Sequence, residues 1–135
     1  MTAHQVHDFH TDFRVVGKLL GANMNITTDQ VITLAPQADK FIVTNIIATN
    51  ASISLTTAAG GIYTAVAKGG SAIVAAGQVY SALTAATKFV ALTLAGTALT
   101  DVYDAATQLS FWLSLTTPQG AAATADIYIY GRLFR

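Results

Sequence analysis

The sequence has no cysteine and no glutamate among its 135 residues, and charged side chains make up only 10% of it. The absence of cysteine excludes disulfide bonds, thiolate nucleophiles and zinc sites built on cysteine. Glutamate is a good helix former that suits exposed helix faces, so its absence disfavours a bundle of helices with solvated outer faces. The sequence therefore predicts one domain that consists mainly of β-structure.

Charge is particularly scarce in the middle of the chain, which is rich in alanine and threonine. Between residues 41 and 125 the ionised side chains are Lys68, Lys88, Asp101 and Asp104. A free soluble protein usually carries about a quarter of its residues as charges, and a low charge promotes association. We therefore expect the chain to be covered by further copies of itself or by partner proteins.

Several classes of partner are disfavoured by what the sequence does not contain. No apolar run reaches the roughly 18 residues that a membrane-spanning helix needs. The N-terminal segment MTAHQVHDFHTDFR has no apolar core of the kind found in secretion signals. The formal net charge is zero, and no cluster of Lys or Arg marks a nucleic-acid-binding face. We expect synthesis in the cytoplasm, with neither a membrane nor a nucleic acid as partner.

Alternation of apolar and polar residues predicts β-strands along most of the chain. The clearest segments are 109–116 and 125–134, and segment 40–48 is apolar on both faces, as in a central strand. Further strands are predicted at 15–20, 31–35, 52–57, 62–66, 72–75 and 89–94. The sequence thus predicts an antiparallel β-sandwich of jelly-roll type with about eight strands over residues 31–135. An extended N-terminal arm and lead-in are predicted for residues 1–30.

Glycine pairs and one repeated segment mark the expected turns. Gly60-Gly61 and Gly69-Gly70 lack the pattern of a phosphate-binding or dinucleotide-binding loop, so both are predicted to be turns, with Lys68 at a hairpin tip. The segment SLTTAAG at residues 54–60 is echoed by SLTTPQG at residues 114–120. Convergence on the same turn chemistry and a duplicated half-sandwich are both open explanations.

A metal site is the first kind of chemistry to consider, because three histidines lie close together. His4, His7 and His10 accompany Asp8 and Asp12 at the N-terminus, and imidazole and carboxylate are suitable ligands for transition metals. A terminal segment ahead of the first predicted strand has no surrounding residues to hold such ligands in place. We therefore predict no metal and no cofactor.

Catalysis is not expected either. No histidine occurs beyond residue 10, so a nucleophile in the sheet would have to take its base from the arm. Asp101 and Asp104 form a candidate carboxylate pair for a hydrolase, but their spacing within a Thr/Ala-rich connection is more typical of a cap and a solvated turn. The sequence therefore predicts that the protein is not an enzyme.

Aromatic residues on outward strand faces are the candidates for partner binding. Such rings serve subunit interfaces, stack on sugar rings or pack across neighbouring strands of the same fold. An apolar and aromatic arm is also suited to holding a neighbouring subunit. The candidates for contacts between copies are Trp112, Tyr128 and Tyr130, and those for docking through the arm are Phe9, Phe13 and Arg14.

Two long stretches of the chain resemble a known group of proteins. The stretch that begins TNASISLTTAAGGIYTAV and the stretch LSFWLSLTTPQGAAATADIYIYGRLF are similar to small β-sandwich virion proteins of tailed bacteriophages and prophages, in particular those that decorate heads. The likeness spans roughly residues 43–134 and consists of Thr/Ala-rich strands and SLTTxxG turns. It implies a capsid-associated protein that forms homo-oligomers, often trimers, and stabilises the shell after packaging expands it.

Two functions from different classes follow from these observations. The first is a head decoration or cement protein located in the virion and made in the host bacterial cytoplasm. It would bind the major capsid protein or another virion protein, and it would form a homo-oligomer, with a trimer favoured. The second is a tail- or fibre-associated receptor-binding module that recognises a surface glycan. A solvent-accessible cleft holding Trp112 would favour the second function, and burial of Trp112 against another copy would disfavour it.

Overall fold

A computed structural model describes residues 13–134, in which the regular structure consists of nine β-strands and one short 3-10 helix at Gly96–Leu99. The expected all-β, antiparallel fold is confirmed. The strands are β1 (Phe13–Asn23), β2 (Gln30–Leu34), β3 (Lys40–Thr49), β4 (Ala59–Ala65), β5 (Gly69–Val74), β6 (Phe89–Leu92), β7 (Tyr103–Asp104), β8 (Ser110–Thr117) and β9 (Thr124–Phe134).

The strands of residues 13–134 form one connected antiparallel sheet. Eight of them follow in the order β5-β4-β8-β2-β1-β9-β3-β6, and the two-residue β7 pairs with β3. The sheet curls as a half-barrel. A bridge between Val74 and Leu94 links its two edges, and next to it the Ala95 N–H donates to the Ile73 carbonyl at 3.0 Å. The curl turns one side of the strands towards a shared interior.

Alternate residues of the long strands fill this interior. In β9 the buried residues are Ala125, Ile127, Ile129, Gly131 and Leu133, and the residues that alternate with them face outward. The alternation of apolar and polar residues in the sequence therefore corresponds to a strand with one side in the core and the other at the surface.

Three aromatic rings form a cluster inside the curled sheet. The Tyr103 ring lies 5.4 Å from the Phe41 ring and 5.3 Å from the Phe111 ring, centroid to centroid. The contact with Phe111 is edge-to-face, a favourable geometry for aromatic pairs. This cluster anchors β7 against β3 and β8.

The first thirty residues, predicted as an arm and lead-in, contain a strand of the sheet. The early strand predicted at 15–20 is part of β1, and β1 lies between β2 and β9 within the sheet. Val16 and Ala22 are buried, so the lead-in of the predicted arm belongs to the compact domain. Irregularities between Val15 and Gly17 and between Leu19 and Ala22 shift the alternation, which concealed the full length of the strand from pattern reading. Residues 1–12 of the predicted arm lie outside the described residues.

The first of the two glycine pairs has a different role from the one predicted. Gly60 and Gly61 lie inside β4 and not in a turn. Position 60 requires glycine because a Cβ there would collide with the backbone of Leu115 in β8. Lys68 does occupy the tip of the β4–β5 hairpin. Ala67 and Lys68 both have a φ of 57° there, and the Asp29 carboxylate accepts the Ala67 N–H at 2.6 Å.

The two echoed segments have different conformations and contact each other. Residues 114–117 belong to β8, whereas residues 52–57, predicted as a strand, form a loop. The side chain of Gln119 joins the two, since it accepts from the N–H groups of Thr57 and Ala58, at 3.0 Å each, and donates to the Ser54 carbonyl. The difference in conformation favours convergence over a duplicated half-sandwich.

The Gln119→Ala variant is expected to lower the free energy of unfolding by about 2 kcal/mol, because it leaves two backbone N–H groups and one carbonyl without their partner. Gln119→Glu keeps the accepting oxygen and loses the donor, so its loss should be smaller. Urea unfolding of the two variants measures the difference. Equal stability of Gln119→Ala and the wild type would show that water replaces the side chain without cost.

Candidate interaction surface

The outward side of β1, β9, β3 and β6 forms the candidate interaction surface, centred on β9. The outward residues of β9 are Thr124, Asp126, Tyr128, Tyr130, Arg132 and Phe134. The register places Tyr128 between Lys18 of β1 and Ile47 of β3, and it places Tyr130 between Val15 of β1 and Asn45 of β3. The two tyrosines therefore lie at the middle of this four-stranded surface.

Phe13, Tyr130 and Arg132 form a cluster at one end of the surface. The rings of Phe13 and Tyr130 stack at 6.2 Å between centroids with an interplanar angle of 13°. The guanidinium carbon of Arg132 lies over the Phe13 ring, 5.6 Å from its centroid, which is a cation–π geometry. The rings thus pack across neighbouring strands, and Phe13 still exposes 46% of its surface.

Asp126 lies towards the opposite end of the surface. Its Oδ1 accepts the Gly21 N–H at 2.7 Å, and its Oδ2 accepts the Asn50 side-chain amide at 3.0 Å. Both bonds fix the carboxylate, and each oxygen keeps further capacity to accept. Asp126 and Arg132 are six residues apart on one strand, or roughly 20 Å. The surface therefore has a negative end and a positive end.

Large apolar side chains complete the surface. Leu20 of β1 is 56% exposed and Phe89 of β6 is 66% exposed. Ile42 and Ile47 of β3 are half-buried on the same side of the sheet. Contiguous apolar and aromatic faces of this kind are characteristic of surfaces that other proteins cover.

Trp112 lies apart from this surface. It is on β8, which β2 and β1 separate from β9, and it pairs with Val31 on one side and Tyr63 on the other. The indole is half-buried. The structure therefore does not bring Trp112 together with Tyr128 and Tyr130, although all three are on outward faces.

Arg14 and Phe9 are the remaining residues predicted to dock the chain through its arm. Arg14 is directed towards the β2–β3 connection, where its Nη1 donates to Gln37 Oε1 at 3.0 Å. Together with Lys18, Arg14 lines a groove of about 380 Å³ between β1 and β2. Phe9 lies outside the described residues.

Sequence reasoning missed the two charged residues of β9 and the isoleucines of β3 as members of the surface. The alternation already placed Asp126 and Arg132 on the same face as the tyrosines, so this signal was available. No such signal was available for Ile42 and Ile47. Their contribution depends on the pairing of β3 with β9, which local periodicity does not reveal.

The metal site and the carboxylate pair considered from the sequence can be compared with residues 13–134. Residues 13–134 contain no group of three or more side chains that could hold a metal ion, and the three histidines lie outside this range. Asp104 accepts the Ala106 N–H at 2.9 Å and so stabilises a turn.

Burial raises the pKa of Tyr80 and of Tyr103, both in the core. No helix in the described range is long and apolar enough to cross a membrane.

Comparisons of the chain with models of protein families, with curated proteins and with solved structures gave no match. The functional assignment therefore depends on the composition and geometry of the candidate interaction surface.

Proposed function

We propose that this chain is a bacteriophage virion structural protein, a head decoration or cement protein that binds the assembled capsid. The observation that carries the proposal is the candidate interaction surface, on which Phe13, Tyr128 and Tyr130 face outward among apolar neighbours. The partners are the major capsid protein or another virion protein and further copies of the chain. The protein acts in the virion, without catalysis, after synthesis in the host bacterial cytoplasm.

We also propose that the curled sheet is a β-sandwich of jelly-roll type. Without β7, the strand order divides into β1-β9-β3-β6 and β2-β8-β4-β5, which is the arrangement of two four-stranded layers in a jelly roll. The bridge between Val74 and Leu94 supports this division, since it links the outer strands of the two layers. Jelly-roll domains occur in viral capsid proteins, which fits the proposed role.

The proposed mechanism is preferential binding to the assembled shell. Each copy covers a seam between capsid subunits, so it binds the assembled state and not the separate subunits. A ligand at 100 times its dissociation constant stabilises the state that it binds by about 2.7 kcal/mol. Because many identical seams are covered at once, a modest contribution from each copy stabilises the whole shell.

Co-sedimentation with empty capsids of the encoding phage or prophage tests the proposal. The purified chain is expected to pellet with the capsids, and a variant with Phe13→Ser and Tyr130→Ser should bind at least tenfold more weakly, because these aromatic anchors join two copies and paired copies bind the shell more strongly than one. The matched control is Val66→Ser, a change of another exposed apolar residue at the β4–β5 hairpin. A folded wild-type chain that stays in the supernatant would refute the proposal.

Deletion of residues 1–12 tests the predicted docking through Phe9 separately. The deletion ends before β1, so the strands of the sheet are retained. Loss of capsid binding by the folded, truncated chain would assign docking to this segment. Unchanged binding would assign docking to residues 13–134.

A tail- or fibre-associated module that binds a surface glycan is the second candidate function. The outward, half-buried Trp112 on β8 favours it, because an indole face stacks well on a sugar ring. Binding to a panel of bacterial surface glycans, with Trp112→Ala as the variant, separates the two functions. Glycan binding that is lost in Trp112→Ala would support the module, and absence of binding by the wild-type chain would exclude it.

A further inference from the structure

We propose that the candidate interaction surface forms a twofold contact with a second copy of the chain, in which the two β9 strands cross face to face and antiparallel. The inference rests on the self-association in the proposed function and specifies its geometry. The observation behind it is the order of the outward residues of β9, in which Asp126, Tyr128, Tyr130 and Arg132 occupy every second position between Thr124 and Phe134 at the two ends.

This order is complementary to itself when the second strand runs in the opposite direction. A twofold axis that passes between Tyr128 and Tyr130 places Asp126 of each copy opposite Arg132 of the other. It also places Tyr128 of each copy opposite Tyr130 of the other. Two facing sheets pack about 10 Å apart, a gap that an arginine and an aspartate can bridge together. The same axis therefore forms two ion pairs and one aromatic centre.

Contacts within each copy hold both charges in place before association. The Asp126 carboxylate is fixed by Gly21 and Asn50, and the Arg132 guanidinium lies over the ring of Phe13. Preorganised groups lose little conformational entropy on binding, so more of their interaction energy remains as affinity. The pairing of opposite charges also selects this orientation over a parallel one, which would bring like charges together.

The neighbouring strands match under the same symmetry. On β1, Phe13 pairs with Arg132, and Leu20 lies beside Asp126. The axis therefore places Phe13 of each copy opposite Leu20 of the other. On β3, Ile47 faces Asn45 of the second copy, and Ile42 faces Thr49. Lys18, at the level of Tyr128, faces Val15 of the second copy. The contact therefore places an aromatic ring against an aliphatic side chain and brings no like charges together on these strands.

The expected contact is small. Three strands spaced about 4.8 Å apart and roughly 20 Å long give a footprint of roughly 300 Å² per copy, below the roughly 800 Å² per partner of stable complexes. The dimer should therefore be weak, with a dissociation constant on the order of 10 μM or higher. A twofold pair of this kind differs from the trimer that the resemblance to decoration proteins implies.

Sedimentation equilibrium of the full chain from about 1 to about 500 μM, a range that spans the expected constant, gives the first test. The wild type should fit a monomer–dimer equilibrium, and Arg132→Asp should raise the dissociation constant at least tenfold, because both ion pairs become repulsive. Lys88→Asp, the reversal of an exposed cation next to β6 but off β9, serves as the control and should leave the constant within about twofold. A wild type that remains monomeric, or that forms trimers without dimers, overturns the proposal.

A mixing experiment tests the pairing of the two charges. Arg132→Asp and Asp126→Lys should each dimerise poorly alone. Their mixture should restore a dimer, because the new aspartate then faces the new lysine while the native Asp126 and Arg132 face each other. Failure of two folded variants to associate when mixed overturns the proposal.

A zero-length carbodiimide cross-link gives a measurement that does not depend on Asp126→Lys being folded. In Arg132→Lys the charge is kept, and a bond between the new amine and Asp126 must join two copies, because the two positions lie roughly 20 Å apart within one strand. Mass spectrometry should find this bond, and its absence from a cross-linked dimer overturns the proposal. Capsid binding by a strictly monomeric chain would refute the twofold contact alone, whereas dimers that ignore capsids would refute the decoration function alone.

Discussion

Replacement of Phe111 by alanine is expected to lower the free energy of unfolding by about 3 to 5 kcal/mol. Phe111 is fully buried on the inner face of β8, and its ring contacts those of Phe41 and Tyr103. The substitution loses the free energy gained by transferring the ring from water to the core. It also leaves a cavity that the neighbouring side chains fill only in part, because their backbones are held in the sheet. Domains of this size are stable by about 5 to 15 kcal/mol, so the loss is a large share of the total.

Two matched variants separate the core position of Phe111 from the chemistry of the substitution. Phe89→Ala makes the same change at a residue that is 66% exposed, so it should change the free energy of unfolding by less than about 0.5 kcal/mol. Phe111→Leu keeps most of the volume and should cost less than about 1.5 kcal/mol. Urea unfolding followed by circular dichroism measures all three. A Phe111→Ala loss no larger than that of Phe89→Ala would contradict the placement of Phe111 in the core.

The parts of the fold that the sequence predicted well are those in which local pattern and burial agree. The segments 109–116 and 125–134 became β8 and β9 because their alternate residues face one core. Segment 52–57 has a similar pattern and forms a loop. There Leu55 is buried and its N–H donates to the carbonyl of Leu83, so a tertiary contact replaces the sheet partner. Local periodicity indicates which side of a segment is apolar, but it does not reveal what covers that side.

The candidate surface shows the same limit. The sequence placed Tyr128 and Tyr130 outward correctly, since their direction depends only on the alternation of β9. It assigned Phe13 to an arm, because irregularities in β1 concealed that residue's position next to Tyr130. It grouped Trp112 with the tyrosines, because the positions of β2 and β1 between β8 and β9 follow from long-range pairing. Which outward residues share a surface is a property of strand order, and strand order is not local.

Scarcity of charge gives the few charges on the surface a larger role. An apolar sheet face without charge could associate with any similar face in several orientations. Asp126 and Arg132 lie near opposite ends of β9, so their pairing stabilises one orientation and destabilises the others. The apolar residues supply contact area, and the two charges supply specificity.

Replacement of Gly131 by alanine is expected to lower the free energy of unfolding by about 3 kcal/mol, although it adds only one methyl group. Gly131 lies in β9 between Arg14 of β1 and Val43 of β3. A Cβ at this position would collide with the carbonyl oxygen of Ile42 and would lie 3.2 Å from the nearest methyl carbon of Val16, which is buried. A backbone carbonyl in a paired strand cannot turn away as a flexible side chain can, so β9 or β3 must shift.

Gly77→Ala is the matched control, because a Cβ at Gly77 meets no atom within 4 Å. That variant should leave stability unchanged or raise it by up to about 1 kcal/mol, since alanine restricts the unfolded chain. Thermal and urea unfolding compare the two variants, and similar stabilities would contradict the close approach of β3 to β9. A shift of β9 would also move Tyr130 and Arg132, which flank Gly131. Gly131→Ala should therefore weaken self-association as well as stability, whereas Gly77→Ala should affect neither adversely.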